Sequence, residues 1–581
     1  MREFRWALGW VGKITKMIAS IMMGLVSILV MTIVPFFFKN IIDDVLMGRQ
    51  YDRLIPLLAT VLAGTIAQVV FRYGANILME SVSQDVTIGI REKLFSHILD
   101  QTAAFHREND AGSLITYCTG DTDMVRHFIC WVIPRATDCI GMMIMVLIIF
   151  TSINPLYALC LFTLTPVSAF LAFQLGKEIR PAHTEARESR RRLSTVVTEN
   201  ISGNRVVKAF TRESHEIGRF EDKNTDFRNA QVGTNKVWLR FQPFIELVAQ
   251  SLGVINLVVG AILVIKGQIT LGQMNIFQSL AWALNEPMLM IGIIVNDTSR
   301  FLASSEKLMN IQFSYNAIKS PADPVPVPDM AGDVQMRGVS LRIGGMTLLD
   351  NVNLTINRGQ TVGFMGHTGS GKTLLASMIP RFIDASEGEV LIDGVNVKDF
   401  DLRELRSQIG MAMQDVFMFS DSVENNVAYG NPAAPMEAVI AAADLADADG
   451  FIKHLPQGYD TIIGERGVGL SGGQKQRLSL ARALLPDPSI LILDDTTSSV
   501  DMETEKIIQN NLNNMETKAT KIIIAQRVSS IKNADRIYIL DSGRVIEEGT
   551  HAELMANNGY YYETCVLQQL TYSENDQEGS V

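Results

Sequence analysis

Cysteine is scarce in this sequence, and the few cysteines show no functional pattern. Five occur among 581 residues: Cys118, Cys130, Cys139, Cys160 and Cys565. Their separations do not match the close pairs of a zinc site, and four of them lie in or beside apolar segments. The sequence therefore argues against a thiolate metal centre and against a disulfide framework, and it predicts reduced thiols with no role in the chemistry.

Basic charge is also in short supply. Lysine and arginine number 51 against 62 aspartates and glutamates, which gives a net charge of -11. A nucleic-acid-binding protein needs a basic face that displaces counterions from phosphates, and the second half of the sequence offers none. Nucleic acid is therefore not expected to be the principal partner.

Apolar residues, in contrast, are abundant. They make up 47% of the sequence and charged residues only 19%, which is typical of a membrane part joined to a soluble part. A helix needs about 20 residues to cross a hydrocarbon layer of roughly 30 Å. Six segments are long enough: 17–38, 55–78, 129–151, 155–176, 243–265 and 273–295. No small-residue cleavage site follows the first one, which we therefore expect to be a retained helix and not a signal peptide.

Lysine and arginine predict the orientation of these spans. Between Lys177 and Arg240 there are fourteen of them, four lysines and ten arginines, whereas the turns near 152–154 and 266–272 hold only Lys266. Because positively charged connections stay in the cytoplasm, we expect both termini to be cytoplasmic. The sequence thus predicts an integral membrane protein, and we expect it in the plasma (inner) membrane of a bacterium.

The cytoplasmic connections, 79–128 and 177–242, are unusually long and show helical periodicity. We interpret them as helices that extend well beyond the membrane. A simpler alternative is that they are solvated stalks without a mechanical role.

The sequence changes character after a proline-rich stretch. "SPADPVPVPD" has four prolines between Pro321 and Pro328 and reads as an extended linker. Short β-branched strands then alternate with helices and glycine-rich turns. The predicted fold is a membrane all-α domain of six transmembrane helices with long cytoplasmic extensions, followed by an α/β domain. The predicted boundaries are 1–316 for the transmembrane domain, 317–330 for the linker, 331–570 for the nucleotide-binding domain and 571–581 for a polar, disordered tail.

A phosphate-binding loop lies early in the second domain. In "TVGFMGHTGSGKTLLASMIP" a strand leads into the pattern G-x-x-x-x-G-K-[ST] at 366–373, which opens a helix. Its glycines let backbone N–H groups wrap a β-phosphate, its lysine neutralises the β/γ charge and its threonine is a ligand for Mg²⁺. The residues predicted to bind ATP here are Gly366, Gly369, Ser370, Gly371, Lys372 and Thr373.

Two further features predict a nucleotide hydrolase. The apolar strand "ILILD" ends in Asp494, an acid at the carboxyl end of a strand and well placed to hold Mg²⁺ through water. The segment "LSGGQ", Leu470–Gln474, precedes a basic helix and forms a second anion site. A single domain does not need two phosphate-binding sites for one nucleotide. Two domains that face each other head to tail need both, because each domain then completes the nucleotide site of the other.

These motifs resemble those of the ATP-binding cassette transporters, specifically exporter half-transporters with six membrane helices and one nucleotide-binding domain. The resemblance covers about residues 10–565 and is carried by 366–373, by "LSGGQ" and by "LILDD" at 491–495. It implies an ATP-driven exporter that alternates between inward-open and outward-open states, with ATP and Mg²⁺ as cofactors. It also implies a second half-transporter as partner, whose nucleotide is completed by this chain's signature residues Leu470, Ser471, Gly472, Gly473 and Gln474.

The resemblance implies roles for single residues as well. Gln414 would sense Mg²⁺ and the attacking water, and Asp501 would lie in the loop that crosses the dimer interface. The segment "GERG" at 464–467 would touch the membrane domain, and 120–125 ("GDTDMV") and 206–213 ("VVKAFTRE") would be the two coupling helices.

Three positions depart from the pattern of the family. The family's catalytic glutamate is replaced by Asp495, the switch histidine by Gln526 and the aromatic that stacks on adenine by Ile343. An aspartate side chain is shorter than glutamate by roughly 1.5 Å, and a base must lie within hydrogen-bond reach of the proton it takes. We therefore expect a site that binds ATP and cleaves it poorly, within a heterodimer. The alternative is that both replacements are tolerated and the site still turns over.

The substrate is the least defined part of the prediction. Acids within spans are costly and usually face a cavity or a partner, so Glu246 and Glu286 are candidates for a cavity that attracts cationic amphipathic molecules. Pairing of these acids with Arg72 or Arg135 is an equally good interpretation, and lipids and peptides remain open as substrates. A nucleotide-gated channel or regulator, or an importer built on the same fold, are the alternative functions. A soluble ATPase of the DNA-repair type is excluded by the six spans.

Overall fold

A computed structural model describes residues 2–12, 14–316, 318–326, 330–515 and 519–568. It separates into two compact units. The first comprises Met1–Asp100 and Asn109–Ser314, and the second comprises Gln101–Glu108 and the described residues from Tyr315 onward. The predicted tail, 571–581, and residues 327–329 of the predicted linker lie outside the described residues.

The first unit is built from helices. In chain order, the helices up to residue 312 are α1 (Arg2–Gly9), α2 (Ile14–Asn40), α3 (Leu54–Leu99), α4 (Ala103–Glu108), α5 (Ala111–Thr116), α6 (Thr122–His127), α7 (Ile133–Ile153), α8 (Pro155–Phe162), α9 (Thr165–Ser202), α10 (Asn204–Ala209), α11 (Glu213–Ile265), α12 (Leu271–Leu280) and α13 (Trp282–Gln312). π-Helical turns at Tyr117–Asp121 and Phe128–Val132 join α5, α6 and α7 into one run. The short helix α4 belongs to the second unit.

Five helical runs of the described residues are long and apolar enough to cross a membrane. They are Ile14–Met47, Tyr51–Leu99, Ala111–Ile153, Pro155–Ser202 and Glu213–Ile265. The sixth predicted segment, 273–295, is helical too, but Ala281 divides it between α12, with 10 residues, and α13. Neither piece carries an uninterrupted apolar stretch comparable to the other five, because α12 is short and α13 runs on into polar sequence.

The segment predicted as the first coupling helix, 120–125, is not a separate helix. It lies inside the continuous run Ala111–Ile153. The run begins where Asp110 caps it, since the Asp110 carboxylate accepts a hydrogen bond from the Ser113 amide at 2.9 Å. The separate short helix in this region is α4, before that cap. For the second predicted segment, 206–213, the structure has the short helix α10, which ends at Ala209 before α11 begins.

A polar contact ties the segment after α2 to the start of α12. The Asp43 carboxylate accepts hydrogen bonds from the Gly272 amide at 2.8 Å and from the Thr270 hydroxyl at 2.5 Å. Thr270 also caps α12 through a reciprocal pair of bonds with Gln273. A β-carbon on Gly272 would lie 2.6 Å from the Lys39 carbonyl oxygen, so this close approach requires glycine.

The second unit is an α/β domain. Its strands are β1 (Val334–Ile343), β2 (Met346–Ile356), β3 (Thr361–Met365), β4 (Glu387–Ile392), β5 (Val395–Asn396), β6 (Ile409–Ala412), β7 (Ile490–Asp494), β8 (Thr520–Ile524), β9 (Arg536–Asp541) and β10 (Arg544–Gly549). Its helices are α14 (Lys372–Met378), α15 (Leu402–Ser407), α16 (Val423–Val427), α17 (Met436–Leu445), α18 (Asp449–Lys453), α19 (Gly472–Leu484), α20 (Met502–Asn513) and α21 (His551–Ala556), and residues 560–568 are helical as well.

Two sheets organise these strands. One has four strands in the order β2-β1-β4-β5, and the other has six in the order β10-β9-β3-β8-β7-β6. In the second sheet β6, β7, β8, β3 and β9 run parallel to one another, and β10 is antiparallel to β9. Phe364 of β3 and Asp494 of β7 both lie opposite Ile524 of β8. The carboxyl ends of β3, β8, β7 and β6 therefore lie along one edge, and the chain segments that leave this edge carry the predicted nucleotide-site residues.

Candidate functional site

The loop after β3 has the shape of a phosphate cradle. Gly366, Gly369 and Gly371 have φ values of +145°, +84° and +101°, a region that glycine adopts at little cost. A β-carbon on Gly366 would lie 2.0 Å from the Leu540 carbonyl oxygen, which leaves no room for any other residue. The glycines of the motif are thus required by the backbone path itself.

Lys372 places a positive charge inside this loop. Its ammonium donates hydrogen bonds to the carbonyl oxygens of Gly366 at 2.9 Å and His367 at 2.8 Å, and to the Ser370 hydroxyl at 3.3 Å. The side chain is nearly buried, and this burial lowers the pKa of Lys372, while the charges of Asp494 and Asp495 raise it. A buried ammonium bonded mainly to neutral oxygens fits an anionic ligand, so the loop suits the phosphates of ATP.

Two adjacent carboxylates follow β7. Asp494 is buried, and this burial raises its pKa, while the nearby Thr373 side chain acts to lower it. Asp495 has a φ of +50°, a left-handed conformation that aspartate tolerates better than most residues. Burial raises the pKa of Asp495 too, while the Ser498 hydroxyl and Arg527 act in the opposite direction. Asp494 thus points to the phosphate loop, and the chain turns sharply at Asp495.

The two predicted glutamines follow β6 and β8, which lie on either side of β7 in the same sheet. Gln414 comes two residues after β6 and Gln526 two residues after β8, and both are exposed. The Ala525 amide donates to the Phe364 carbonyl oxygen at 3.2 Å, so the chain is still beside β3 one residue before Gln526. Sheet topology alone therefore brings Gln526 next to the start of the phosphate loop.

Two residues that sequence reasoning missed brace these loops. Gln476, on α19, donates to the Ser498 hydroxyl at 3.0 Å and accepts from the Ser499 amide at 3.0 Å. Glu505, on α20, is buried and pairs with Arg527 at 3.5 Å while it also accepts a hydrogen bond from Ser530. Both are polar side chains on helices with polar residues on either side in sequence, and only their burial in the folded chain distinguishes them from surface residues.

The signature segment forms the exposed start of α19. Ser471 caps this helix, because its hydroxyl accepts from the Gln474 amide at 3.3 Å and the Gln474 side chain accepts from the Ser471 amide at 2.9 Å. Ser471 and Gly472 are exposed, and a β-carbon on Gly473 would lie 2.9 Å from the Ser499 carbonyl oxygen. Leu470 packs partly buried against the core beneath. The helix start, with its unpaired N–H groups, therefore faces outward from the unit.

The two remaining predicted residues of this domain also lie at its surface. Asp501 caps α20 by accepting from the Thr504 amide at 3.0 Å, and this bond lowers the pKa of its carboxyl group. Ile343 ends β1 at a turn through Gly344 and Gly345 and is 42% exposed. An exposed aliphatic side chain at this position can cover an adenine ring without the stacking that an aromatic ring provides.

In the first unit, Glu286 is paired with a cation. Its carboxylate accepts from the Arg135 guanidinium at 2.7 Å, and Arg72 and Asp138 form a second pair at 2.6 Å. Both pairs line a cavity of about 210 Å³, whose wall also contains Ser27, Ile28, Met31, Gln68, Cys139, Met142, Trp282, Ala283 and Pro287. The pairing alternative therefore holds for Glu286. Glu246 is elsewhere, exposed on α11 and bonded to the Gln242 side chain at 2.7 Å.

Metal ligands are few around the phosphate loop. Within the described residues, no group of three or more His, Cys, Asp or Glu side chains could hold an ion. Mg²⁺ keeps several waters in proteins and takes one or two protein ligands together with substrate phosphates. Asp494 and Thr373, which lie near each other, are the two side chains suited to that task.

Family comparisons agree with this geometry. Residues 17–288 match the family described as the ABC transporter transmembrane region, and residues 349–498 match the family described as ABC transporter. The uncharacterized ABC transporter ATP-binding protein YknU of Bacillus subtilis (strain 168) is 35% identical, with 94% of both chains covered. An ATP-dependent lipid A-core flippase of Syntrophus aciditrophicus (strain SB) is 33% identical, with 93% of this chain and 89% of that protein covered.

A solved structure matches along nearly the full length. It is that of a bacterial Atm1-family ABC exporter with ATP bound, with a TM-score of 0.80, 25% sequence identity and 96% and 98% of the two chains covered. The chain therefore belongs to the ABC transporters. It is an exporter half-transporter, an integral membrane protein with one helical transmembrane domain and one nucleotide-binding domain, and its activity is ATP hydrolysis coupled to transport.

Proposed function

We propose that this chain is the subunit with the degenerate ATP site in a heterodimeric exporter of amphipathic compounds. Its own phosphate loop would hold ATP with little hydrolysis, and its signature segment would complete the hydrolysing site of a homologous partner subunit. The observation that carries the proposal is that Asp495 and Gln526 replace the base and the switch residue while the phosphate loop and the signature remain intact.

The geometry around Asp495 supports a weak base. Its carboxylate is one methylene shorter than that of glutamate, and the sharp left-handed turn of its backbone directs the chain toward Ser498. A misplacement of about 1 Å can cost on the order of 10²-fold in rate. Gln526 has no imidazole with which to assist proton transfer, so both losses act in the same direction.

Mg²⁺ and ATP would be held by the residues already described. Lys372 and the glycine-lined loop would bind the phosphates, and Thr373 and Asp494 would contribute to the metal site, with Gln414 at its exposed side. When bound, Mg²⁺ neutralises phosphate charge and polarises the transferred group. The Thr373 and Asp494 side chains already lie near each other.

Coupling between nucleotide and membrane would use the short helices at the ends of the long cytoplasmic runs. We propose α10 as one of them and α4 as the other, in place of 120–125. Both are short helices set between much longer ones, and exposed apolar side chains near α10, Ile201, Val206 and Phe210, are available for contact with a second subunit. We also propose cytoplasmic termini and a bacterial plasma membrane, from the distribution of lysine and arginine.

The dimer is tested by substitution of Ser471 in the complex with its partner. Ser471→Arg puts a bulky cation at the exposed start of α19, and we expect it to reduce ATP turnover of the complex by about 10²-fold or more. Lys372→Ala in the same chain should affect ATP binding here and leave most of the turnover in place. Full activity of the Ser471→Arg complex would contradict the proposal.

For the substrate, we propose amphipathic molecules that reach the cavity between α2, α3, α7 and α13. The similarity to a lipid A-core flippase supports lipid-like compounds as well as drug-like ones. Because Glu286 is bound to Arg135, a cation would have to displace the guanidinium. Glu286→Gln should therefore weaken transport of cationic compounds more than of neutral ones. Equal effects on both would remove the cationic preference and leave the exporter assignment untouched.

A further inference from the structure

The loop that carries Gln526 is held from outside by the last described residue of the chain. The Gln568 side chain donates from its amide nitrogen to the Gln526 carbonyl oxygen at 2.8 Å, and its amide oxygen accepts from the Val528 backbone N–H at 2.9 Å. One side chain thus bonds to backbone groups two residues apart. Such a two-point contact fixes the peptide groups on both sides of Arg527.

Gln568 itself is firmly placed. Tyr561 and Cys565, seven and three residues before it on the helix 560–568, are buried in a core cluster with Met365, Ala525 and Ile531. Positions 561, 565 and 568 share one face of a helix because they follow the i, i+4, i+7 spacing. Val528, one of the two residues that Gln568 contacts, packs against the same cluster.

On its inner side, the loop that carries Gln526 is held by contacts of Arg527 with the protein interior. Arg527 pairs with the buried Glu505 at 3.5 Å and donates to the Ser498 carbonyl oxygen at 3.2 Å. The Gln526 peptide thus lies between an inner anchor, Glu505, and an outer one, Gln568. These two anchors hold the backbone that carries the exposed Gln526 side chain, beside the start of the phosphate loop.

We propose that Gln568 is a positioning residue that holds Gln526 where its amide reaches the terminal phosphate of ATP. It does not touch the nucleotide itself. The inference rests on the proposed switch position of Gln526. It predicts discrimination between ATP and ADP, since ADP lacks the phosphate that this loop would contact, whereas the phosphate loop bonds to both nucleotides alike.

The test uses the full-length chain in lipid nanodiscs and the variants Gln568→Met, Gln568→Glu and, as a control on the exposed face of the same helix, Glu563→Met. Affinities for ATP and ADP are measured by competition with a fluorescent nucleotide, and hydrogen exchange is measured in the peptide that contains Val528. Methionine has a similar length but makes neither bond. We expect Gln568→Met to weaken ATP binding about three- to tenfold, the effect of about one hydrogen bond, with ADP affinity within twofold and faster exchange at Val528.

Gln568→Glu keeps the acceptor for Val528 and loses the donor to Gln526, so exchange should stay slow while ATP affinity is intermediate. Glu563→Met should behave like the parent. Equal losses for ATP and ADP would mean a merely structural contact and would overturn the inference, as would unchanged exchange in Gln568→Met. Gln526→Ala separates the two proposals: if it retains full discrimination, the switch role of Gln526 is wrong, whereas the exchange result still decides whether Gln568 holds the loop.

Discussion

Replacing Glu505 by alanine tests how much the loops after β7 and β8 depend on one buried acid. The Glu505 side chain is 3% exposed, and its carboxylate meets Arg527 at 3.5 Å, Thr497 at 3.4 Å and Gln509 at 3.3 Å, in addition to Ser530. The first three contacts are long and contribute little each. Arg527 is 37% exposed and stays hydrated when its partner is removed.

The loss of stability in Glu505→Ala is therefore dominated by the missing hydrogen bond from Ser530 and by the cavity that the smaller side chain leaves. A hydrogen bond to a charged group contributes about 1.5–3 kcal/mol, so we expect Glu505→Ala to lower the free energy of unfolding by about 2–4 kcal/mol. This corresponds to roughly 5–10 °C in the melting temperature of a domain of this size. Calorimetry is the appropriate assay, because the five tryptophans, Trp6, Trp10, Trp131, Trp238 and Trp282, all lie in the first unit. Glu503→Ala, an exposed acid on the same helix, is the control. A shift no larger than that of Glu503→Ala would refute the reasoning.

Two further predictions concern pH and packing. Burial raises the pKa of Asp495 in the nucleotide-free protein, so the stability linked to its protonated form is present at low pH and is lost as pH rises through the folded-state pKa. The melting temperature of Asp495→Asn should therefore rise relative to that of the parent between pH 4.5 and pH 7.5. A constant difference between the two melting temperatures over that range would contradict this prediction. Gly272→Ala places a β-carbon 2.6 Å from the Lys39 carbonyl oxygen and 2.7 Å from the Asp43 carboxylate, and should lower the stability of the membrane domain by about 1–3 kcal/mol in thermal unfolding. The control is Gly253→Ala, which has open space around it and should not lower the stability. Equal melting temperatures for the two variants would contradict this prediction.

Motifs whose function is local were predictable from the sequence. The phosphate loop needs glycines with positive φ next to a lysine and a helix start, and those are adjacent in the chain. Asp494 was predictable because parallel strands end at one edge of a sheet. The ABC fold, with its helical membrane domain and α/β domain, follows from the same patterns.

Features that depend on contacts between distant segments were not predictable. Gln476, Glu505 and Gln568 lie far in sequence from the loops that they brace, and nothing local marks them as buried. The partner of Glu286 was left open between Arg72 and Arg135, because sequence does not say which helix faces which. The family resemblance implied a coupling helix at 120–125, yet the helical run that Asp110 caps continues through these residues.

The central claim is that Asp495 and Gln526 make this chain's own site a poor hydrolase. It is tested most directly by measuring ATP turnover of the purified chain alone as a dimer, for the parent and for the double variant Asp495→Glu with Gln526→His. We expect the parent to be slow, because a missing general base costs about 10²- to 10⁴-fold, Asp495→Glu alone to gain modestly, and the double variant to gain at least about tenfold. Parent turnover at about ten per second or more, typical of a competent enzyme, with no gain in the double variant, would contradict the account.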